Sequence, residues 1–220
     1  YQATEHNGFP SISIKYEGCL HPGKMMRTLY QKNLELGIEF RWQTQVQDMD
    51  VDSGTLKLSN EIEIDAQRLV IATNSFTSKL ISDIEIKPGR GFVFVTKPMP
   101  DCKWKGTYHY DAGYYYFRGV SGDRFLLGGA RSLDIDVETT TEFGKNRKIK
   151  NHLLNFANEV LELPKGWEIE KEWSGIMGFT PTKSPVLQKL SDKAVIAAGL
   201  SGMGVALGMQ LGREASDMVT

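Results

Sequence analysis

Apolar and polar positions along the chain change period several times, and each change marks an element. Met25, Leu29 and Leu36 share a stripe at helical spacing, with Pro22 in the first turn and Gly37 just beyond, which predicts a first helix from about His21 to Leu36. Ile38, Phe40, Trp42, Thr44 and Val46 then alternate with Glu39, Arg41, Gln43 and Gln45, the period of a half-buried strand. Short strands follow near Leu56 to Leu58 and Ile62 to Ile64. The continuous apolar run Leu69 to Ala72 predicts a strand buried on both faces, ended by Thr73-Asn74-Ser75. From Ile84 to Ala130 the pattern is an antiparallel meander: Phe92 to Thr96, Thr107 to Tyr110, Tyr114 to Arg118 and Phe125 to Gly128. Its turns are at Asp111-Ala112-Gly113 and Ser121-Gly122-Asp123.

A second helix is predicted to start at Thr139, whose spacing to Glu142 matches a capping box, with Ile149, Leu153, Phe156 and Val160 as its buried stripe. Pro164 and Gly166 stop it, and a long strand runs from Trp167 to about Phe179. A final strand, Ala194 to Ala198, leads through a glycine turn into a terminal helix from about Met203 to Val219. The expected class is α+β: an antiparallel-sheet lobe with helices, joined to strands and helices of an α/β lobe. Residues 1–19 and 83–185 make up the first lobe, and residues 20–82 and 186–220 belong to the second.

Composition narrows the function classes. The 220 residues carry a formal net charge of -1, with 40% hydrophobic and 24% charged residues, so nothing favours a polyanionic partner such as nucleic acid. Two cysteines, Cys19 and Cys102, form no disulfide framework and point to a reducing cytoplasm. The histidines His6, His21, His109 and His152 lack metal-ligand spacing, so no metal is expected. No charge occurs from Ala194 to Gly212, but five glycines with Ser201 and Gln210 divide the stretch into strand, turn and helix, so no membrane span is expected.

The C-terminal blocks are the most specific. Trp173-Ser174-Gly175-Ile176, Thr180-Pro181, Pro185-Val186-Leu187 and Val195-Ile196-Ala197-Ala198-Gly199-Leu200-Ser201-Gly202-Met203-Gly204-Val205 follow one another. Earlier stand Leu20-His21-Pro22-Gly23-Lys24, Leu69 to Thr73, Pro88-Gly89-Arg90-Gly91 and Leu127-Gly128-Gly129-Ala130. Together they resemble the D-amino-acid oxidase-like FAD-dependent oxidoreductases, the group of the glycine, sarcosine and γ-glutamylputrescine oxidases. The resemblance implies non-covalent FAD as cofactor, a small amine or amino acid as substrate, and hydride transfer to the flavin. It further implies that Ser201, Gly202, Met203, Gly204 and Val205 contact the pyrimidine end of the flavin ring. Val46 would lie near the adenine, and Ala72, Thr73 and Asn74 near the ribityl and phosphate portion, with Gly175 and Ile176 beside the ring. Asn74 departs from the family's usual glycine but tolerates a left-handed backbone. Gly175 stands where sarcosine oxidases carry a flavin-linked cysteine, which disfavours a covalent bond there.

The glycine-rich fingerprint for the ADP part of FAD is not found in this stretch, so the chain is expected to be a C-terminal, substrate-binding part, inactive in isolation. Physically, a glycine turn between a buried strand and a helix lets backbone approach a flat ligand and aims free N–H groups at negative charge.

Substrate candidates lie on the tyrosine-rich meander. Tyr108 and Tyr116 are amphipathic wall candidates, although aromatics also serve as cross-strand packing. Arg118 and Arg131 have the fork that grips a carboxylate, against a bland reading as solvated surface charge. Arg90 reads as structural, and the basic run Lys145, Arg147, Lys148 and Lys150 as a solvated helix face. Met177 stands where the family's amino-acid oxidases carry a carboxylate-binding arginine, so either the substrate lacks an α-carboxylate or another arginine compensates. No catalytic acid or base is assigned. A non-catalytic binding or assembly module built on the same lobe is the alternative function, and a homo-oligomer is compatible with either.

Overall fold

A computed structural model describes residues 1–219; Thr220, the last residue of the expected second lobe, lies outside the described residues. The architecture is α+β and dominated by antiparallel sheets. A hairpin not anticipated from the sequence opens the chain, β1 (Gln2–His6) and β2 (Phe9–Ser13), followed by α1 (Pro22–Glu35). His21 caps α1, its side chain accepting the Lys24 N–H. A small antiparallel sheet follows, in the order β3 (Val46–Asp50), β4 (Thr55–Leu58), β5 (Glu63–Asp65).

The largest sheet has five strands in the order β11 (Ile169–Phe179), β7 (Lys87–Thr96), β10 (Arg124–Gly129), β9 (Tyr115–Val120), β8 (Thr107–Tyr110), all antiparallel. One face is covered by α2 (Arg147–Asn155), whose Ile149 and Leu153, with Phe156 and Ala157 just beyond, pack on Phe92, Phe94, Phe125, Leu127, Tyr115 and Phe117. Each of these large side chains contributes about 1.5–3 kcal/mol on leaving water. A third sheet has the order β12 (Val186–Lys189), β13 (Ala194–Ala198), β6 (Leu69–Ile71), with β13 and β6 parallel. Its Leu69, Ile71, Ala194, Ile196 and Ala198 form a second core with Ile84 and Ile86. On its other side α3 (Gly204–Val219) lays Leu211 and Ala215 on Val195 and Ala197.

Three expectations are corrected. Residues 38–45 form no strand: Gln43 takes a left-handed φ of 55°, and of this stretch only the Gln45 carbonyl meets a neighbouring strand, accepting the Ser59 N–H at 2.8 Å. Alternation alone cannot hold a strand without a neighbour to accept its ladder; here Phe40 and Trp42 instead cluster with Tyr30 of α1. On α1, Met25 and Leu29 are half-covered and Leu36 is 77% exposed. Val70, on the α3 side of β6 beside Val195, is 46% exposed rather than buried. Finally, the second helix begins at Arg147 under an Asn146 cap, not at Thr139. The Thr139 hydroxyl donates to the Ile135 carbonyl at 2.7 Å, and Glu138, beside it, is drawn inward to Arg90.

Candidate functional site

Three strand ends converge. After β6 the chain passes through Ala72 and Thr73 into Asn74, which sits at φ 49° and opens a short 3-10 turn, Asn74–Lys79. The Asn74 side-chain oxygen accepts the Gly199 N–H, 3.3 Å away, at the end of β13. From the end of β11, the Gly178 carbonyl accepts the Ser201 N–H at 2.8 Å, and the Thr180 N–H donates to the Ser201 hydroxyl oxygen at 3.3 Å. The turn from β13 into α3 is left-handed at Gly199 (φ 75°), Ser201 (φ 49°) and Gly202 (φ 88°). Gly199 tolerates no side chain, because a Cβ there would lie 2.6 Å from the Thr180 methyl.

This turn opens a helix, where backbone donors lack intrahelical partners. The Met203 N–H is used on the Leu200 carbonyl at 2.7 Å, whereas Gly202, Gly204 and Val205 have no acceptor for theirs among the described residues. Gly202 and Val205 are exposed, Gly204 is half-buried and Met203 is 54% exposed, so the turn lies at the surface.

Beside the turn lies the face of the five-stranded sheet opposite α2. Antiparallel partners share a face, so the register sets Gly175 beside Gly91, Met177 beside Gly89, and Tyr116 beside Gly128, with Val93 and Trp173 continuing the latter row. Four glycines thus floor this face. The Tyr116 ring crosses Gly128 so closely that a Cβ there would meet its Cζ and hydroxyl at 2.5 Å, and burial pushes the phenol up to about 12. Met177 links floor and turn: its methyl is 2.9 Å from where a Cβ of Gly91 would stand, and its sulfur 3.9 Å from that of Gly202. Arg131 stacks on Phe179, 4.5 Å from the ring centroid, and its Cζ lies 3.2 Å from the Cβ position of Gly89. Burial holds the Arg131 pKa below the usual guanidinium value.

The sequence candidates fall unevenly around this place. Met177, Tyr116, Gly175 and the run Ser201 to Val205 border the glycine-floored face or its turn, and Thr73 and Asn74 stand at the convergence. Ala72 precedes it and is exposed. Ile176 alternates to the opposite face, opposite Arg90, and borders the site through its backbone alone. Tyr108, paired with Phe117, points to the α2 side, stacks on that ring and bonds His6. Arg118 is on the right face but is occupied, donating to the Leu20 carbonyl at 2.7 Å and the Cys19 sulfur at 3.0 Å. Val46 starts β3 in the separate small sheet. Arg90 is structural as expected, gripping the buried Glu138.

Arg131 is the residue whose place the sequence does not reveal. Gly129 (φ 116°) and Ala130 (φ 58°) are both left-handed, and the Ala130 N–H is anchored on the Tyr114 carbonyl at 2.7 Å. Strand alternation cannot be carried through such a pair; its one visible signal is its position directly after a strand of the site face.

The family model described as FAD dependent oxidoreductase (DAO) matches residues 9–218. The chain is 20% identical over 214 residues to a D-amino acid dehydrogenase of Helicobacter pylori, covering 92% of this chain and 50% of that protein. It is 24% identical over 216 residues to the probable oxidoreductase OrdL of Haemophilus influenzae, covering 92% of this chain and 47% of that one. The chain therefore spans about half the length of the curated relatives it matches. Among solved structures, the L-proline dehydrogenase of P. horikoshii superposes with a TM-score of 0.74 at 17% identity, over 90% of this chain and 55% of that one. Glycine oxidase from Geobacillus kaustophilus gives 0.72 at 21%, over 88% and 52%. These two likenesses are of fold.

Proposed function

Because the chain belongs to the DAO family of FAD-dependent oxidoreductases, we propose that it forms the flavin-ring and substrate-binding part of an enzyme that oxidises a small amine or amino acid with non-covalently bound FAD. The observation that carries this reading is the open turn of Gly202 to Val205 standing next to a sheet face floored by glycine. A flat ring can lie against the backbone in such a place, and the site residues fit one. Three amide donors there lack an acceptor among the described residues, and nothing among them stands within 4 Å of the Cβ position of Gly175.

In this reading the amides of Gly202, Gly204 and Val205, at the positive end of α3, would hold the flavin ring and stabilise negative charge on it. FAD, when bound, would supply the two-electron acceptor for the hydride of the carbon beside the amine. The chain's side chains position and exclude water. Tyr116 stays protonated through the working pH range and offers an O–H donor without a competing negative charge. Met177 closes the gap between floor and turn with an apolar thioether. Asn74 and Ser201 lock the three strand ends together, so the amides are pre-aimed rather than ordered on binding.

Absorbance tests the reading. The whole protein, incubated with FAD and desalted, is expected to remain yellow and to bleach anaerobically with a set of small amines and amino acids. A preparation that retains no FAD at any concentration refutes it.

A further inference from the structure

Four arginines of the described residues are partly buried rather than exposed: Arg90, Arg118, Arg124 and Arg131. Three are satisfied. Arg90 holds Glu138, Arg124 holds Glu170 and Asp123, and Arg118 holds the Leu20 carbonyl. Arg131 alone has no acceptor among the described residues, although taking a guanidinium even partly out of water is unfavourable unless it is paired. Glu138, whose charge acts on Arg131, is spent on Arg90 and Asn146.

Its setting is built rather than casual. The Ala130 N–H is tied to the Tyr114 carbonyl, and the Arg131 Cζ lies over the Phe179 ring, 4.5 Å from its centroid. A cation held against an aromatic ring in this way keeps its N–H donors for a planar, bidentate acceptor. Gly89 supplies the room, since a Cβ there would run into Phe179 and come within 3.2 Å of the Arg131 Cζ. The same strand pair continues from Gly89 and Met177 to Gly91 and Gly175, so Arg131 overlooks the floor on which the substrate is proposed to lie.

We infer that Arg131 is the residue that receives the carboxylate of the substrate, which makes the substrate an amino acid rather than a carboxylate-free amine. The inference rests on the proposed function, and it resolves the difficulty posed by Met177, whose thioether cannot bind a carboxylate. Arg131 sets specificity: it binds the end of the substrate that does not react.

The experiment compares the whole protein with Arg131→Met and Arg131→Lys, each checked for an unchanged thermal melt. Binding of propionate and of propionamide is measured by calorimetry, and turnover of the FAD-loaded protein on alanine and on alaninamide by flavin reduction. Arg131→Met is expected to weaken propionate binding and raise the KM for alanine roughly 10- to 100-fold, the range of a charge-assisted bond. Propionamide binding and alaninamide turnover should stay near wild type, and Arg131→Lys should recover part of the loss. Equal propionate affinity in wild type and Arg131→Met overturns the inference even if the flavin bleaches normally. Propionate binding that depends on Arg131 in a protein that retains no FAD sustains the carboxylate site while removing the oxidoreductase reading.

Discussion

The buried pair of Arg90 and Glu138 gives the sharpest stability prediction. The Glu138 side chain is 1% exposed and that of Arg90 12%, and the two meet through Nε to Oε2 at 3.0 Å and Nη2 to Oε1 at 2.8 Å. Asn146 donates to the same Glu138 oxygen at 3.0 Å while capping α2, and the remaining Arg90 nitrogen donates to the Glu142 carbonyl at 3.2 Å. Glu138→Ala strips three charge-assisted bonds at once and leaves a guanidinium enclosed without its counter-ion. Removing one partner of such a pair costs about 3–5 kcal/mol, because the penalty is the stranded charge rather than the lost attraction. For a chain of this size that corresponds to a fall in Tm of roughly 6–20 °C, at about 2–4 °C per kcal/mol. Glu138→Gln keeps the volume and one acceptor and should lose less, about 1–3 kcal/mol. The double variant Arg90→Met with Glu138→Leu should regain most of the loss, since no charge is then stranded. Urea unfolding followed by tryptophan fluorescence reads all three. A Glu138→Ala loss below about 1 kcal/mol, the range of an exposed pair, would refute the reasoning, because it would mean that water reaches Arg90 freely.

The elements legible in the sequence were those whose own residues suffice to specify them. β13 and β8 coincide with the apolar run at 194–198 and the segment at 107–110, and α1 lies between its Pro22 and Gly37 signals. Where a neighbour decides, pattern reading fell short. Ile38 to Thr44 alternates as well as any strand in the chain, yet no strand pairs with it among the described residues. Thr139 and Glu142 have capping-box spacing, but Glu138, just before Thr139, turns inward to Arg90 and the helix starts only at Arg147. The site divides the same way. The glycine turn was visible because left-handed φ values and a strand-to-helix reversal demand those residue types. Tyr108 and Tyr116 look alike in sequence, and only the register shows that one faces His6 and Phe117 while the other crosses Gly128.

Three further perturbations probe the site's framework. Gly128→Ala would place a methyl 2.5 Å from the Tyr116 ring, so the ring must move; an overpacking loss of about 1–3 kcal/mol in urea unfolding is expected, and no loss would mean that the ring does not cross the floor. Because burial raises the Tyr116 phenol from 10.0 to about 12, the folded state holds that proton more tightly than the unfolded chain. The stabilisation is complete below about pH 10 and is lost as pH rises through 12, by at most roughly 2–3 kcal/mol. Tyr116→Phe should lack that decline in alkaline unfolding, and identical slopes would count against the burial. Finally, Asn74 both occupies φ 49° and accepts the N–H of buried Gly199, so two substitutions separate its roles. Asn74→Gly keeps the backbone and forfeits the bond, leaving a buried amide unpaired at about 1–3 kcal/mol. Asn74→Ala adds the left-handed strain of about 1–2 kcal/mol. If Ala and Gly cost the same in unfolding measurements, the backbone at this junction is not held left-handed. The aim of the amides from Gly202 to Val205 would then rest on the Ser201 contacts with Gly178 and Thr180 alone.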